Sequence, residues 1–448
     1  MKSATDISEH LPLQRMYRWE RERADQVYLT QPMGNGVVRD FTWRETMDQV
    51  RRMAAHLQSL GYAPGTHIAL MSKNCAWWVM ADFAIFMAGY VSVPLYPTLA
   101  AETVRQILTH SEAKLLFVGK LDDWPQMKAG VPAGLPCITF PVSPRDESLK
   151  DFPTWDDIVA KTSPLPGNPL RDAGELATII YTSGTTGMPK GVMHSFGNFA
   201  HAAVIGHSRV QARGDDRMLS YLPMSHIAER ISVELGSLRA GFRIYFAESL
   251  ETFARDLARA RPTLFFSVPR LWVKFQQGVQ AKMPQEKLDR LLRIPLVGAL
   301  VKKKILKGLG LDQCRFAGGG AAPMPPAMLN WFARLGLEIL EVYGMTENCG
   351  LSHANESGKT KPGTVGTTYT GVQHRIDPAT GEVQMKSAAV MQGYYKEPEK
   401  TRETFTDDGW LKTGDKGEID SAGRLKITGR VKDLFKTSKG KYVAPAPI

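Results

Sequence analysis

The sequence predicts an α/β protein: two α/β subdomains with flanking helices, followed by a smaller β-rich subdomain. Three observations carry this. Short apolar runs with strand character alternate with helix-length amphipathic spans, the pattern of parallel strands joined by helical crossovers. That alternation is interrupted at 161–172 (KTSPLPGNPLRD), a Pro/Gly-rich connector. From 360 to 430 it gives way to short β-like runs separated by Gly turns, such as GEVQMKS and GRLKITGR. The length of 448 residues is room for roughly three units at about 150 residues each.

In chain order, Phe41 to Leu60 has apolar residues at helical spacing and stops at Gly61, a helix-ending residue. His67–Met71 and Lys114–Val118 read as buried strands, with a helix over Thr103–His110 between them. Ala76 to Tyr96 is long enough to cross a bilayer. It contains Asp82, Gly89 and Pro94 and changes from helical to strand-like pattern, so it reads as a buried helix running into a buried strand. After the connector, Leu176–Tyr181 is a strand that ends in a Gly/Thr/Ser-rich loop. Strands follow at Arg217–Leu222, Thr263–Val268, Cys314–Ala317 and Glu338–Val342, with a helix over Pro325–Leu335.

Composition narrows the partners. Hydrophobic residues make up 43% and charged residues 23%, which excludes a disordered or fibrous chain. The net charge of +11 suits anionic partners: a nucleotide, a phosphate-bearing carrier, nucleic acid or an acidic membrane. Nucleic acid is the weakest of these, because no recognition signature or basic arm is present. Cys75, Cys137, Cys314 and Cys349 are not at metal-ligand spacing and form no disulfide framework, so a reducing cytoplasm is expected. The polar, acid-containing N-terminus does not read as a signal peptide.

Residues 181–192 read YTSGTTGMPKGV. Gly184, Gly187 and Gly191 allow a tight backbone that aims N–H groups at an anion; Ser183, Thr185 and Thr186 add hydroxyls and Lys190 a charge. The combination suits a polyphosphate. It is not a Walker loop: Met188 and Pro189 separate Gly187 from Lys190, so no helix can start there in the Walker manner. This string resembles the phosphate-binding signature of the adenylate-forming superfamily, which includes acyl-CoA synthetases, peptide-synthetase adenylation domains and beetle luciferases. The resemblance runs from about residue 40 to the end, through GGGAAP (318–323), YGMTE (343–347), GYYKEPEKTRETF (393–405), GWLKTGD (409–415) and GRVKDLFK (429–436), in the family's order.

The resemblance implies a role for each motif. Residues 1–430 would form the AMP-binding N-terminal domain, with 431–448 a hinge and the start of a C-terminal lid domain that is otherwise absent. Thr182, Ser183, Gly184, Thr185, Thr186, Gly187 and Lys190 would hold the ATP phosphates. Gly320, Ala321 and Ala322 would face the adenine, with Tyr343 sandwiching its ring; Thr346 would contact the α-phosphate, and Glu341, Val342 and Gly344 belong to the same nucleotide site. Asp415 would accept the ribose hydroxyls and Arg430 contact ribose or phosphate. Lys190, Thr346, Glu347 and Lys436 would be the catalytic set, Lys432 the hinge, and Glu347 with Thr182 the Mg²⁺ ligands. His226, in YLPMSHIAER, reads from the residues alone as a structural histidine; the resemblance makes it an acyl-pocket wall with Gly319 and Gly320.

The implied reaction is ATP- and Mg²⁺-dependent activation of a carboxylic acid to an acyl-adenylate, followed by thioester formation with coenzyme A. The runs YLPMSHIAER and LFFSVPRLWVKF (264–275) are similar to long-chain fatty acyl-CoA synthetases, which points to a fatty acid substrate. An enzyme that loads a carrier protein or feeds a reductase, or a non-catalytic nucleotide-binding protein, would share the same motifs. No residue matches the lid lysine of the family, so a truncated form with poor adenylation on its own is expected. Segment 288–310 (LDRLLRIPLVGALVKKKILKGLG) admits two readings: a core-packed helix with a solvated basic face, or a peripheral contact with the cytoplasmic face of an acidic membrane.

Overall fold

The computed structural model describes residues 7–182 and 188–431, and the backbone of a strand pair, Phe435–Lys436 with Tyr442–Val443. Its largest sheet has seven strands. Five run parallel, in the order Leu176–Thr182, Val91–Leu95, His67–Met71, Leu115–Val118, Cys137–Thr139. Their Val, Leu and Ile runs are buried on both faces, as parallel strands require. Lys190–Ser195 adds antiparallel to Leu176–Thr182, and Gly393–Tyr394 adds antiparallel to that in turn.

The span Ala76 to Tyr96 resolves as expected. Ala76–Ala88 is a helix with every residue buried, Gly89 ends it at φ 93, and Val91–Leu95 is a buried strand. Among the described residues no helix is long and apolar enough to cross a membrane. The helix read over Phe41 to Leu60 is shorter, Trp43–Ser59. Phe41 and Thr42 close the preceding strand, Val37–Thr42, and Thr42 forms a reciprocal capping box with Glu45 that fixes the helix start.

Among the described residues, three further sheets have more than two strands. Leu264–Ser267, Phe316–Gly319 and Ile339–Tyr343 run parallel and continue antiparallel into His353–Ala354 and Thr367–Thr368. The β-rich end is a four-stranded antiparallel sheet of Gln373–Ile376, Glu382–Lys386, Leu411–Ile419 and Leu425–Arg430. The remaining sheet does not follow chain order. An N-terminal hairpin, Val27–Gly34 with Val37–Thr42, turns through Asn35 and Gly36, both at positive φ. It pairs with Arg243–Phe246, which pairs with Arg217–Ser220.

Where these layers meet, the chain buries a charge cluster. The Arg230 guanidinium is fully buried; it donates to Asp82 and Thr178, bonds Glu234 at 3.0 Å, and lies over the rings of Trp78, Phe86 and Phe199. Burial, and then the charge of Asp82, pushes the Glu234 carboxyl well above the usual carboxylate range. Burial and the neighbouring Asp82 carboxyl thus disfavour charge on Glu234, while the Arg230 guanidinium bridges both acids. Arg230–Leu235 is wound as a π-helix, wider than the α-helical turns that flank it. Replacing Arg230 by Met leaves Asp82 unpaired in an apolar interior, so urea unfolding should show a loss of about 3–5 kcal/mol. Loss of under about 1 kcal/mol, in the range of an exposed pair, would show the cluster to be hydrated instead.

Candidate active site

The segment read as phosphate-binding is flanked by a pair of antiparallel strands. Thr182 and Lys190 are directly paired where the strands Leu176–Thr182 and Lys190–Ser195 approach it, so the segment leads from strand to strand with no helix after it, as its sequence requires. Ser183, Gly184, Thr185, Thr186 and Gly187 lie outside the described residues. So does Lys432, and nothing is described of the Lys436 side chain, whose backbone pairs with Tyr442.

The strand Lys190–Ser195 gathers the first part of the site. Lys190, Val192 and His194 share one face, because alternate residues of a strand do. Tyr394 is the cross-strand partner of Val192, which makes Lys190 its diagonal neighbour. The Lys190 Nζ lies 5.1 Å from the Tyr394 ring centroid, and the Tyr394 hydroxyl donates to Glu347 Oε1 at 2.7 Å. Further along the same strand, the His194 Nε2 donates to the Thr346 carbonyl at 2.8 Å. Burial lowers the His194 pKa to about 4, so its ring is neutral. The structure thus brings together Thr182, Lys190, Thr346 and Glu347. Tyr394 and His194, which the motif reading passed over, hold them. Tyr394 stood inside a quoted motif; His194 had only its place in strand alternation as a signal.

A second group meets at Tyr343. Its hydroxyl donates to Asp415 Oδ2 at 2.6 Å, and the Arg430 Nε lies 3.1 Å from Asp415 Oδ1. Asp415 and Arg430 are cross-strand partners in the β-rich sheet, so that sheet delivers both. Burial first, then the Asp415 carboxylate, raises the Tyr343 pKa and keeps the hydroxyl a donor. The turn between the groups is closely packed. A Cβ on Gly320 would lie 2.6 Å from the Val342 carbonyl oxygen, and one on Gly344 would lie 2.1 Å from the Gly350 backbone. Ala321 holds φ 65, an uncommon left-handed conformation for a residue with a Cβ, and Ala322 is exposed beside it.

Glu341 pairs with Gly319 across parallel strands and is 4% exposed, with Oε2 unpartnered. Burial raises its pKa to about 7, against backbone N–H groups of Gly363 and Met324 that lower it.

Beside these groups lies an apolar cavity of about 110 Å³. Its walls come from the helix Phe196–Val210, the π-helical segment, strand residues Leu264–Phe266, and Val342 with Cys349–Leu351. His226, Gly319 and Gly320 are not in its wall. His226 instead caps the helix Ile227–Glu229, accepting the Ala228 N–H at Nδ1 with burial lowering its pKa. The next residue but one, Ala228, does line the cavity. The loop 342–351 therefore serves both regions: Tyr343, Thr346 and Glu347 meet the polar groups, while Val342, Cys349, Gly350 and Leu351 meet the apolar space.

Glu347 offers one carboxylate, the number a nucleotide-borne Mg²⁺ usually takes from protein. Among the described residues no group of three or more His, Cys, Asp or Glu is placed to hold a metal ion by itself. The residues fit a metal that arrives with a ligand.

These parts define an α/β enzyme in which one loop faces both a polar site and an apolar cavity. The family described as AMP-binding enzyme matches residues 17–395, and the chain belongs to that family. A long-chain-fatty-acid--CoA ligase, FadD15 of Mycobacterium bovis, is 31% identical over 463 residues, covering 96% of this chain and 76% of that protein. The structure of ATP-bound MatB from Rhodopseudomonas palustris superposes with a TM-score of 0.78 at 26% identity, covering 97% of this chain and 81% of that one. The N-terminal domain of FACL13 from Mycobacterium tuberculosis shares the fold with a TM-score of 0.73 at 24% identity, over 93% of this chain and 99% of that domain.

Glu341 gives a pH-dependent prediction. Its folded pKa of about 7 stands above its ordinary value, so the stability it contributes is present below the unfolded pKa and is lost as pH rises through 7. Glu341→Gln, without ligand, should leave the urea midpoint near wild type at pH 5 and raise stability at pH 8 by on the order of 2 kcal/mol. An equal effect at both pH values would remove this account.

Proposed function

We propose that this protein joins a long-chain fatty acid to coenzyme A through an acyl-adenylate. The single observation that carries the reading is the loop 342–351, one side of which meets Lys190's partners and Asp415 while the other lines an apolar cavity. The family membership and the fatty-acid ligase relative support it.

Chemistry explains the arrangement. A fatty carboxylate and a triphosphate repel each other, so attack of the carboxylate oxygen on the α-phosphorus needs that charge offset and the atoms held in line. Lys190 and Arg430 supply cations at the two groups of polar residues, and the hydroxyls and amides of 182–187 are read as phosphate donors. Asp415 would accept from the ribose hydroxyls, and Tyr343 would stack on the adenine opposite Gly320–Ala322. Mg²⁺, held on the nucleotide by Glu347 and Thr182, would supply further neutralisation of the phosphates. Tyr394 orients Glu347 by its hydrogen bond. Pyrophosphate leaves in the first step. In the second a thiol sulfur attacks the acyl carbon and AMP leaves, an anhydride chemistry that needs water kept away. We read residues 1–430 as the domain that binds both substrates and 431–448 as the hinge, with Lys432 its pivot and Lys436 used in the second step.

ATP–pyrophosphate exchange over a panel of acids tests this. Exchange should depend on fatty acids that fill the apolar cavity. Glu347→Gln should lower it by about 100-fold and Tyr394→Phe by about tenfold, by loss of a pre-placed charge and of its orientation. Thioester should appear only with coenzyme A. Exchange with amino acids but not fatty acids, or transfer only to a carrier protein, would replace the proposal; ATP binding with no exchange under any acid, either alone or with a C-terminal lid domain supplied, would make this a nucleotide-binding protein.

A further inference from the structure

The segment that sequence left between a packed helix and a membrane contact is a helical hairpin, Gln285–Leu292 and Pro295–Gly308, whose Leu292, Val301, Ile305 and Leu306 pack against the core. The first helix buries only Leu288 and the second only Gly298. At the tip, Leu296 is 82% exposed and Leu300 69%, with Ile294 and Val297 also exposed. Four large apolar side chains in seven residues form a contiguous patch, which soluble surfaces rarely leave without a partner. Cations surround it: Arg290 and Arg293 on one side, Lys303, Lys304 and Lys307 on the other, all exposed. No acid occurs between Arg293 and Gly308. Of the flanking acids, Asp289 is engaged by Arg334, Asp312 by Arg261, and Glu286 only grazes Arg290 at 3.9 Å.

We propose that this tip docks on the surface of a bilayer that contains anionic lipid. A helix of 14 residues is about 21 Å long and cannot span a membrane, but its apolar tip can enter the interface while the cations meet headgroup phosphates. Charge selects this occupant. A second copy would bring two rings of cations face to face, and an apolar tip has no use on nucleic acid. The surface rests on the fatty-acid reading only for its purpose: a bilayer is where such a substrate dissolves.

Co-sedimentation of the whole chain with vesicles tests the proposal. The chain should pellet with phosphatidylcholine vesicles containing about a quarter phosphatidylglycerol, not with phosphatidylcholine alone, and added salt should weaken the binding. L296S/L300S and K303E/K304E should each weaken it by about tenfold or more. Both pairs are exposed, so circular dichroism should match wild type, and exchange with detergent-dispersed fatty acid should be unchanged. Variants that pellet like wild type, or a wild type that ignores anionic vesicles, overturn the proposal. So does sedimentation velocity showing a lipid-free dimer that L296S/L300S dissolves. Vesicle binding without any exchange would sink the fatty-acid reading and leave the docking surface standing.

Discussion

The site depends on the register of one strand. Lys190–Ser195 is hydrogen-bonded on one edge to Leu176–Thr182, the strand that leads into segment 183–187, and on the other to Gly393–Tyr394. Backbone pairing at period two then fixes the side chains: with Thr182 opposite Lys190 and Val192 opposite Tyr394, the lysine, the tyrosine and His194 must share a face. A slip of one residue would turn Lys190 and His194 to the opposite face and break contact with both Tyr394 and the Thr346 carbonyl. A Walker loop positions its lysine by starting a helix. Here an antiparallel strand does that work, and its far end anchors the next motif as well.

The apolar half of the site is organised by the buried charge cluster. Arg230 reaches out of the π-helical segment to Asp82 on the helix Ala76–Ala88 and to Thr178 on the central sheet. Those bonds tie the start of the segment to two other layers, while Ile231, Ser232 and Gly236, further along, line the cavity. Nearby, Glu229 Oε1 accepts from Ser220, the Tyr221 N–H and Asn74, which fixes the turn that carries His226. Polar groups this deep do little for net stability compared with apolar packing, but they admit few arrangements. The segment between them is wound wider than an α-helix, in keeping with the tendency of π turns to border functional cavities.

How much of this was legible depended on how local the cause was. Buried parallel strands such as His67–Met71 are continuous apolar runs, and the structure places that one at the residues read. The segment read as a polyphosphate site was marked by Gly, Ser, Thr and Lys in a fixed order, and the structure describes only its flanking strands. The N-terminal hairpin carried a local sign too, Asn35-Gly36, but its partner strand lies more than 200 residues on, and no periodicity names a partner. The cavity was out of reach for the same reason: Ala202, Ile231, Leu264, Val342 and Tyr369 come from five separate stretches. His226 shows another limit. The residues alone read it as structural, and it caps a helix; only the resemblance made it a pocket wall, and Ala228, two residues on, lines the cavity. For 288–310 the apolar-basic pattern was plain, but a pattern cannot say which residues find neighbours.

Sharing one loop between a polar and an apolar region has a physical consequence. The turn from Val342 to Leu351 is closed tightly: the Gly350 N–H bonds the Met345 carbonyl at 2.9 Å, the Ser352 N–H bonds the Tyr343 carbonyl at 3.0 Å, and Gly344 packs on Gly350 with no room for a Cβ. Close packing of this kind does not deform smoothly; it shifts as a unit or not at all. Filling the cavity against Val342 and Gly350 therefore presses on the same rigid turn that sets Tyr343 toward Asp415 and Glu347 toward Tyr394. Any ligand that fits only one setting of the turn biases the other site toward that setting, and by linkage the bias is equal in both directions. A shift of the turn as a unit is what would make the two halves of the site answer to each other, because its backbone is common to both.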